Sequence, residues 1–199
     1  MRPVLYVFAK APRMGAAKTR LARDIGAVHA QRLYRAMTAR VLRQVSDPRW
    51  DVVVYTSGDA STVPEWRRLP QRAQPGGSLS PRLAAVFAGA RRPVMVIGTD
   101  CPQVTAGDIA DALEALRHER FVFGPASDGG FWLMGARAPL RQGFFDGVRW
   151  SSEHTLADVR ARAGEVALLR ELTDVDDGEG LRAWREARAA SKAVDVHPA

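Results

Sequence analysis

The sequence predicts an α/β protein whose central sheet is mostly parallel and covered by helices on both faces, and three observations carry this. Short apolar runs at residues 4–9, 51–56 and 94–97 alternate with segments of helical periodicity, the pattern of strand–helix–strand units. In the second run Val52, Val53 and Val54 are contiguous, as in a strand buried on both faces. The third run closes on an aspartate and a chain-turning proline, Val94-Met-Val-Ile-Gly-Thr-Asp-Cys-Pro102. Parallel sheets bind ligands just beyond the carboxyl ends of their strands, so Asp100 is delivered where chemistry is expected.

Residues 4–9 form the first predicted strand, followed by a loop over 10–17. Helical sequence extends from about Lys18 to Val45, with a break near Gly26, where the residue lacks a side chain to favour the helix. Strand two covers 51–56, a loop with a short helix covers 57–68, and 71–74 is a brief third strand. Ser80-Pro81 has the form of a helix start, a capping serine before a first-turn proline, and that helix runs to about residue 90. After the strand at 94–97, Thr105 caps a helix to about His118, with Ile109, Leu113 and Leu116 at helical spacing. Residues 121–123 and 131–134 are strands flanking Ser127-Asp-Gly-Gly130, and Asp-Gly is a strong hairpin signal. Ser151 or Ser152 opens a helix to about 163. A strand at 166–169 and a last helix over 180–190 follow.

The totals place the chain in one domain over residues 1–190, with 191–199 as a frayed tail; 199 residues fall within the usual domain size of about 100–200. The six-residue run at 4–9 is shorter than the ~7–15 residues of a signal-peptide core, and no run approaches the ~18 of a membrane span. The single cysteine, Cys101, rules out an internal disulfide framework and fits a reducing compartment. A soluble, cytoplasmic protein without membrane partners is expected. The net charge is +7, but arginine supplies all but three of the basic residues, and these are scattered over helices among acids. A nucleic-acid binder would need a continuous basic stripe, which this pattern disfavours, although a positive field speeds encounter with anionic ligands.

Three constellations carry the chemistry. Ala11-Pro-Arg-Met-Gly-Ala-Ala-Lys-Thr-Arg20 lies between strand one and helix one, where free backbone N–H groups favour phosphate and Arg13, Lys18 and Arg20 add charge-assisted bonds. It is not a Walker A loop: Pro12 and Ala17 stand at both glycine positions of that motif. The second constellation is acidic. Asp100 and the pair Asp174-Val-Asp176 offer oxygen ligands, which suit Mg2+ or Mn2+ when one or two carboxylates combine with substrate phosphates. Alternation in an extended segment places Asp174 and Asp176 on one face, while Asp176 or Asp177 is also placed to cap the last helix. In the third, Gly124-Pro-Ala-Ser-Asp-Gly-Gly-Phe-Trp132, paired glycines admit a close backbone approach. Asp128 there reads both as a turn residue and as a functional acid, and the two readings are compatible. Gly76-Gly77-Ser78 is either an approach to a nucleobase or ribose or a flexible loop. Cys101 beside Asp100 fits a packed residue better than a nucleophile, and His154 a surface position.

These motifs, in this order, resemble those of a glycosyltransferase-A-like family whose members are associated with radical-SAM/selenodomain or arsenosugar gene clusters. The likeness rests on Phe8-Ala-Lys-Ala-Pro-Arg-Met-Gly-Ala-Ala-Lys-Thr-Arg-Leu21, Ile97-Gly-Thr-Asp-Cys-Pro102, Gly124-Pro-Ala-Ser-Asp-Gly-Gly-Phe-Trp-Leu133, Trp150-Ser151 and Asp174-Val-Asp176. It implies a single Rossmann-like domain of the nucleotide-diphospho-sugar transferase fold. Lys18-Thr-Arg-Leu21 and Asp128-Gly-Gly130 are also similar to phospholactate guanylyltransferases and to molybdenum-cofactor guanylyltransferases. In those relatives the positions matching Asp100, Asp174 and Asp176 are associated with divalent metal and substrate. The chain departs from the family at Gly77-Ser-Leu-Ser-Pro-Arg82, where Gly-Asp-Leu-Gly-Glu-Arg is usual; Ser78 keeps a hydrogen-bonding group there but loses a charge.

The expectation is a metal-dependent glycosyltransferase that moves a sugar from a nucleotide-sugar donor to a small-molecule acceptor. Its alternative is a nucleotidyltransferase that joins a nucleotide to a phosphorylated small molecule and releases pyrophosphate. Lys10, Arg13, Gly15, Lys18, Arg20 and Ser78 are the expected nucleotide-binding residues. Asp100, Asp174 and Asp176 are the expected ligands of Mg2+ or Mn2+, and Asp100 and Asp128 the catalytic acids, Asp128 receiving the proton of an attacking hydroxyl. The sequence assigns no oligomeric state.

Overall fold

A computed structural model describes residues 2–12 and 18–195. Seven strands form one sheet in the order β3-β2-β1-β4-β6-β5-β7: β1 (Val4–Lys10), β2 (Asp51–Ser57), β3 (Gln71–Ala73), β4 (Val94–Ile97), β5 (Phe121–Pro125), β6 (Phe131–Ala136) and β7 (Ala167–Leu168). All run in one direction except β6, which is antiparallel to both β4 and β5. The expected Asp-Gly hairpin explains that exception. β5 and β6 are joined by a tight turn over 126–130, and β6 inserts between β4 and β5 rather than crossing over.

Among the described residues six α-helices cover the sheet: α1 (Thr19–Ile25), α2 (Ala27–Gln44), α3 (Leu79–Phe87), α4 (Ala106–His118), α5 (Thr155–Ala163) and α6 (Gly178–Asp195). Side chains of β1 alternate with the strand period of two. Leu5, Val7 and Ala9 enter one core with Val41 of α2 and Ile109 and Leu116 of α4. Tyr6 and Phe8 face the other core, built with Leu83 and Phe87 of α3 and Val159 of α5. A third cluster seats Leu21 of α1 and Met37 of α2 against Val175, Leu181 and Trp184. From one buried apolar side chain in α1 and α5 to five in α2, these contacts explain why each helix lies where it does, each large buried chain contributing about 1.5–3 kcal/mol. Among the described residues, no helix is long and apolar enough to cross a membrane.

The break between α1 and α2 falls at Gly26, whose φ of 82° is open to glycine. Thr105 caps α4 through a reciprocal box with Asp108. Three helix ends differ from the sequence expectation. α3 begins at Leu79 with Ser78 at its cap position, and the Ser78 side chain makes no capping bond. Gly77, with φ 94°, lets the chain turn before Ser80 is reached, and the Ser80 hydroxyl accepts from Trp150 Nε1 at 2.8 Å. α5 begins at Thr155 rather than at Ser151 or Ser152, because Ser151 is left-handed at φ 55° and a turn over 151–154 precedes the helix. α6 starts at Gly178 and is helical to Asp195, past the point where the sequence places a frayed tail.

Candidate functional site

The order β3-β2-β1-β4 reverses direction between β1 and β4, because β1 connects onward to β2 on one side while β4 lies on the other. At such a switch point the connections leave in opposite directions and open a crevice at the carboxyl ends. A cleft of about 580 Å³ lies there. The end of β1 contributes Phe8, Ala9 and Lys10, the start of α1 Lys18, Thr19 and Arg20, and the end of β4 Gly98, Thr99 and Asp100. α3 closes one wall with Leu79, Arg82 and Leu83, while Phe131, Trp132, Ser151 and Asp176 complete the rim.

The centre of this cleft is a buried lysine. Lys18 has a left-handed backbone, φ 56° and ψ 45°, an uncommon state for a residue with a Cβ. Its side chain is 4% exposed, and its Nζ lies 2.5 Å from Oδ1 of Asp100 and 2.5 Å from Oδ1 of Asp176. The two carboxylates remain 49% and 39% exposed, so their outer sides open to the cleft. Burial opposes charge on Lys18, but Asp100 and Asp176 more than offset it and hold the ammonium above its usual pKa. One cation thus faces two anions, leaving a net negative charge. Two hydrogen bonds tie the acidic segment to the end of β4: Val175 N donates to Asp100 O at 2.8 Å, and the Gln103 side-chain Nε2 donates to Thr173 O at 2.6 Å.

Val175 is buried in the third cluster, while Asp174 and Asp176 on either side of it are partly exposed. They nevertheless have different partners. Asp174 Oδ1 accepts from the Ser127 hydroxyl at 3.1 Å, and burial, then the neighbouring Asp128 carboxylate, pushes its carboxyl above the usual value. Asp128 Oδ1 accepts the Gly130 N–H at 2.8 Å, so the turn reading of Asp128 is realised. Neither Asp128 nor Asp174 lines the cleft. The helix cap falls to Asp177, whose Oδ1 accepts from Gly180 N at 2.9 Å, leaving Asp176 to Lys18. Among the described residues no three His, Cys, Asp or Glu side chains converge as a metal set. Asp100 and Asp176 alone converge on one point, the arrangement that suits Mg2+ or Mn2+ when phosphate oxygens complete the shell.

Lys10 and Arg20 line the cleft beside Lys18. Ser78 is exposed and lies outside the lining, although its neighbour Leu79 is part of it. Arg13 and Gly15 lie outside the described residues. Cys101 is buried, and burial together with Asp100 and Asp174 pushes its thiol well up, against any nucleophilic role. His154 is exposed at the start of α5.

Sequence reasoning missed Tyr34, Gln74 and Arg82. The Tyr34 hydroxyl accepts from Lys10 N at 2.8 Å and donates to Lys10 O at 2.9 Å, fixing the end of β1. Its helical spacing with Ala30, Met37 and Val41 marks it only as core, and the hydroxyl's partner lies in a distant segment. Gln74 donates to Tyr55 O at 2.7 Å and accepts from Arg82 Nη1 at 3.2 Å, joining β2 to α3 along the cleft wall. A third ion pair stands behind the acidic segment. Arg170 Nε and Nη2 lie 2.5 Å and 2.8 Å from Asp108 Oδ1 and Oδ2, and Arg170 O accepts from Trp132 Nε1 at 3.0 Å.

This architecture is that of the nucleotide-diphospho-sugar transferase fold. A candidate nucleotide-diphospho-sugar transferase from Desulfovibrio desulfuricans G20 is 29% identical, with a TM-score of 0.77 over 89% of this chain and 84% of that one. The 4-diphosphocytidyl-2C-methyl-D-erythritol synthase of Anaerococcus prevotii DSM 20548 shares the fold at 8% identity, with a TM-score of 0.61 over 90% and 94% of the two chains. CMP:2-keto-3-deoxy-manno-octonic acid synthetase complexed with CTP does so at 13% identity, with a TM-score of 0.56 over 96% and 100%. No curated protein sequence matches. The family profile described as an uncharacterized protein conserved in bacteria matches residues 38–152. That stretch is more than half of the sequence and takes in β2 to β6 with Asp100 and Asp128, so the chain belongs to this family, DUF2064.

Proposed function

We propose that the chain is a transferase that takes a sugar from a nucleotide-sugar donor and passes it to a small-molecule acceptor, with Mg2+ or Mn2+ bound at Asp100 and Asp176. The observation that carries this is the convergence of Lys18, Asp100 and Asp176 at the carboxyl-end crevice. A cationic group and two carboxylates, brought together from distant segments, are what a diphosphate and its counter-ion require. Lys10, Lys18 and Arg20, carried by the end of β1 and the start of α1, hold the diphosphate oxygens. When bound, the metal supplies Lewis-acid stabilisation of the charge that builds on the departing nucleoside diphosphate. Asp128 stands beside Asp174 on the turn that follows β5, outside the cleft lining and bonded to Gly130 N–H, and is given no proton-transfer role.

The fold shared with a CTP-bound synthetase favours a second reading with the same groups. There the donor is a nucleoside triphosphate, a phosphorylated acceptor attacks its α-phosphorus, and pyrophosphate leaves. Product analysis separates the two: a nucleoside diphosphate marks sugar transfer and pyrophosphate marks nucleotidyl transfer. The donor is found by a thermal-shift screen of nucleoside triphosphates and nucleotide sugars with and without Mg2+ or Mn2+. A ligand at a hundredfold excess over its Kd stabilises by about 2.7 kcal/mol, roughly 5–10 °C for a domain of this size. If no nucleotide shifts the transition with either metal, the proposal fails.

A further inference from the structure

We propose that Lys18 is a tethered counter-cation that occupies the Asp100–Asp176 pair when no divalent ion is bound and must leave that pair before such an ion can enter. The inference rests on the metal reading of these two carboxylates and concerns how the site is controlled. The Lys18 ammonium contacts one oxygen of each carboxylate at 2.5 Å, and its own side chain is 4% exposed while theirs are 49% and 39% exposed. It therefore sits beneath the acids and is shielded by them, where a structural lysine would ordinarily extend its head toward water. A divalent ion with oxygen ligands at about 2.0–2.1 Å would compete for the same two oxygens and would repel the ammonium.

The released ammonium has a destination. Arg20 and Lys10 line the same cleft, and a phosphate group held by them would also accept Lys18. The residue joins α1 at a left-handed backbone position, so its four-carbon stem starts at the helix end rather than within it. Cation and phosphate therefore each make room for the other. The cation displaces Lys18 toward phosphate, and phosphate draws Lys18 away from the carboxylates. Binding of the two is positively coupled, and by linkage the coupling is equal in both directions.

Two measurements test this without any turnover. Lys10, Lys18 and Lys192 are the only lysines, so acetylation by acetic anhydride can be followed at each by mass spectrometry. In metal-free protein Lys18 is expected to react slowly, and MnCl2 is expected to raise its rate about tenfold, a coupling in the usual range, while Lys10 changes little. In electron paramagnetic resonance titrations Lys18→Met should bind Mn2+ about tenfold more tightly than the wild type in the absence of nucleotide, and adding Asp100→Asn should abolish that binding. Suppose Mn2+ binds the wild type in a manner lost in Asp100→Asn, yet Lys18 stays protected and Lys18→Met binds no more tightly. The exchange is then overturned and the metal site stands. If neither the wild type nor Lys18→Met binds Mn2+, both fall. The acetylation experiment uses the unaltered protein and decides the matter even if the variant fails to fold.

Discussion

Asp174 keeps a carboxylate in a place that disfavours its charge. Burial and the adjacent Asp128 raise its pKa in the folded protein, so the folded state holds this proton to higher pH than the unfolded chain does. Its ionisation therefore opposes folding at neutral pH, and the penalty disappears as pH falls toward the ordinary carboxylate value of 3.8. Asp174→Asn is expected to raise the melting temperature at pH 7 by a few degrees, with the gain shrinking on acidification; calorimetry of both proteins at pH 7 and pH 5 checks this. Asp100→Asn makes the opposite use of charge. It is expected to leave the melting temperature within a few degrees of the wild type while removing turnover, and full activity in that variant would refute the metal role.

At the scale of elements, the acidic segment is held in place by a brace rather than by its own strand. β7 has only two residues, and the chain continues past it through Leu172 N to Pro125 O at 3.1 Å and Ser127 N to Leu172 O at 3.0 Å. Behind it, Arg170 pairs with Asp108, which is 6% exposed and also closes the cap of α4. Burial alone would raise the Asp108 carboxyl, but bonds from Arg170 and Thr105 outweigh it and hold the pKa below its usual value. The stabilisation from such a lowered acid is complete above 3.8 and is lost as pH falls through the folded value. Arg170→Ala should therefore destabilise by about 1–3 kcal/mol at neutral pH, the usual result of orphaning a buried acceptor. The difference from wild type should narrow below about pH 4 in denaturant titrations. The turn at Gly129 is equally constrained: φ is 82°, and an added Cβ would come within 2.3 Å of Glu153 O. Gly129→Ala must displace the 151–154 turn or the hairpin.

Across the whole molecule, what could be read from the sequence followed the range of the signal. The valines of β2, the Gly26 break, the Thr105 cap and the Asp-Gly hairpin are local patterns, and each appears where expected. The placement of β6 between β4 and β5 depends on pairing between distant strands, which no local period encodes. The start of α3 was misread because Ser80-Pro81 satisfies the capping pattern while Gly77 supplies the actual turn. At the site, Asp100, Asp176 and Lys18 were legible as types at strand and loop ends. That the lysine would lie between the two acids was not, since it depends on β1 and β4 being neighbours in the sheet. Gln74 and Tyr34 carried no motif, and Arg82 stood in the Gly77–Arg82 segment with no role attached to it. Their roles come from what the fold sets beside them.

Trp132 sits over Gly124 so closely that a Cβ there would lie 2.1 Å from the indole; its N–H is fixed on Arg170 O, and the residue is part of the cleft lining. Trp50, Trp66 and Trp184 are buried away from the cleft, in the cores beneath the helices. The protein thus carries a natural optical probe at the mouth of its crevice. Any occupant that replaces solvent there should alter the emission of Trp132 and of Trp150, which packs on Phe131 of the same cleft, against the background of the other three.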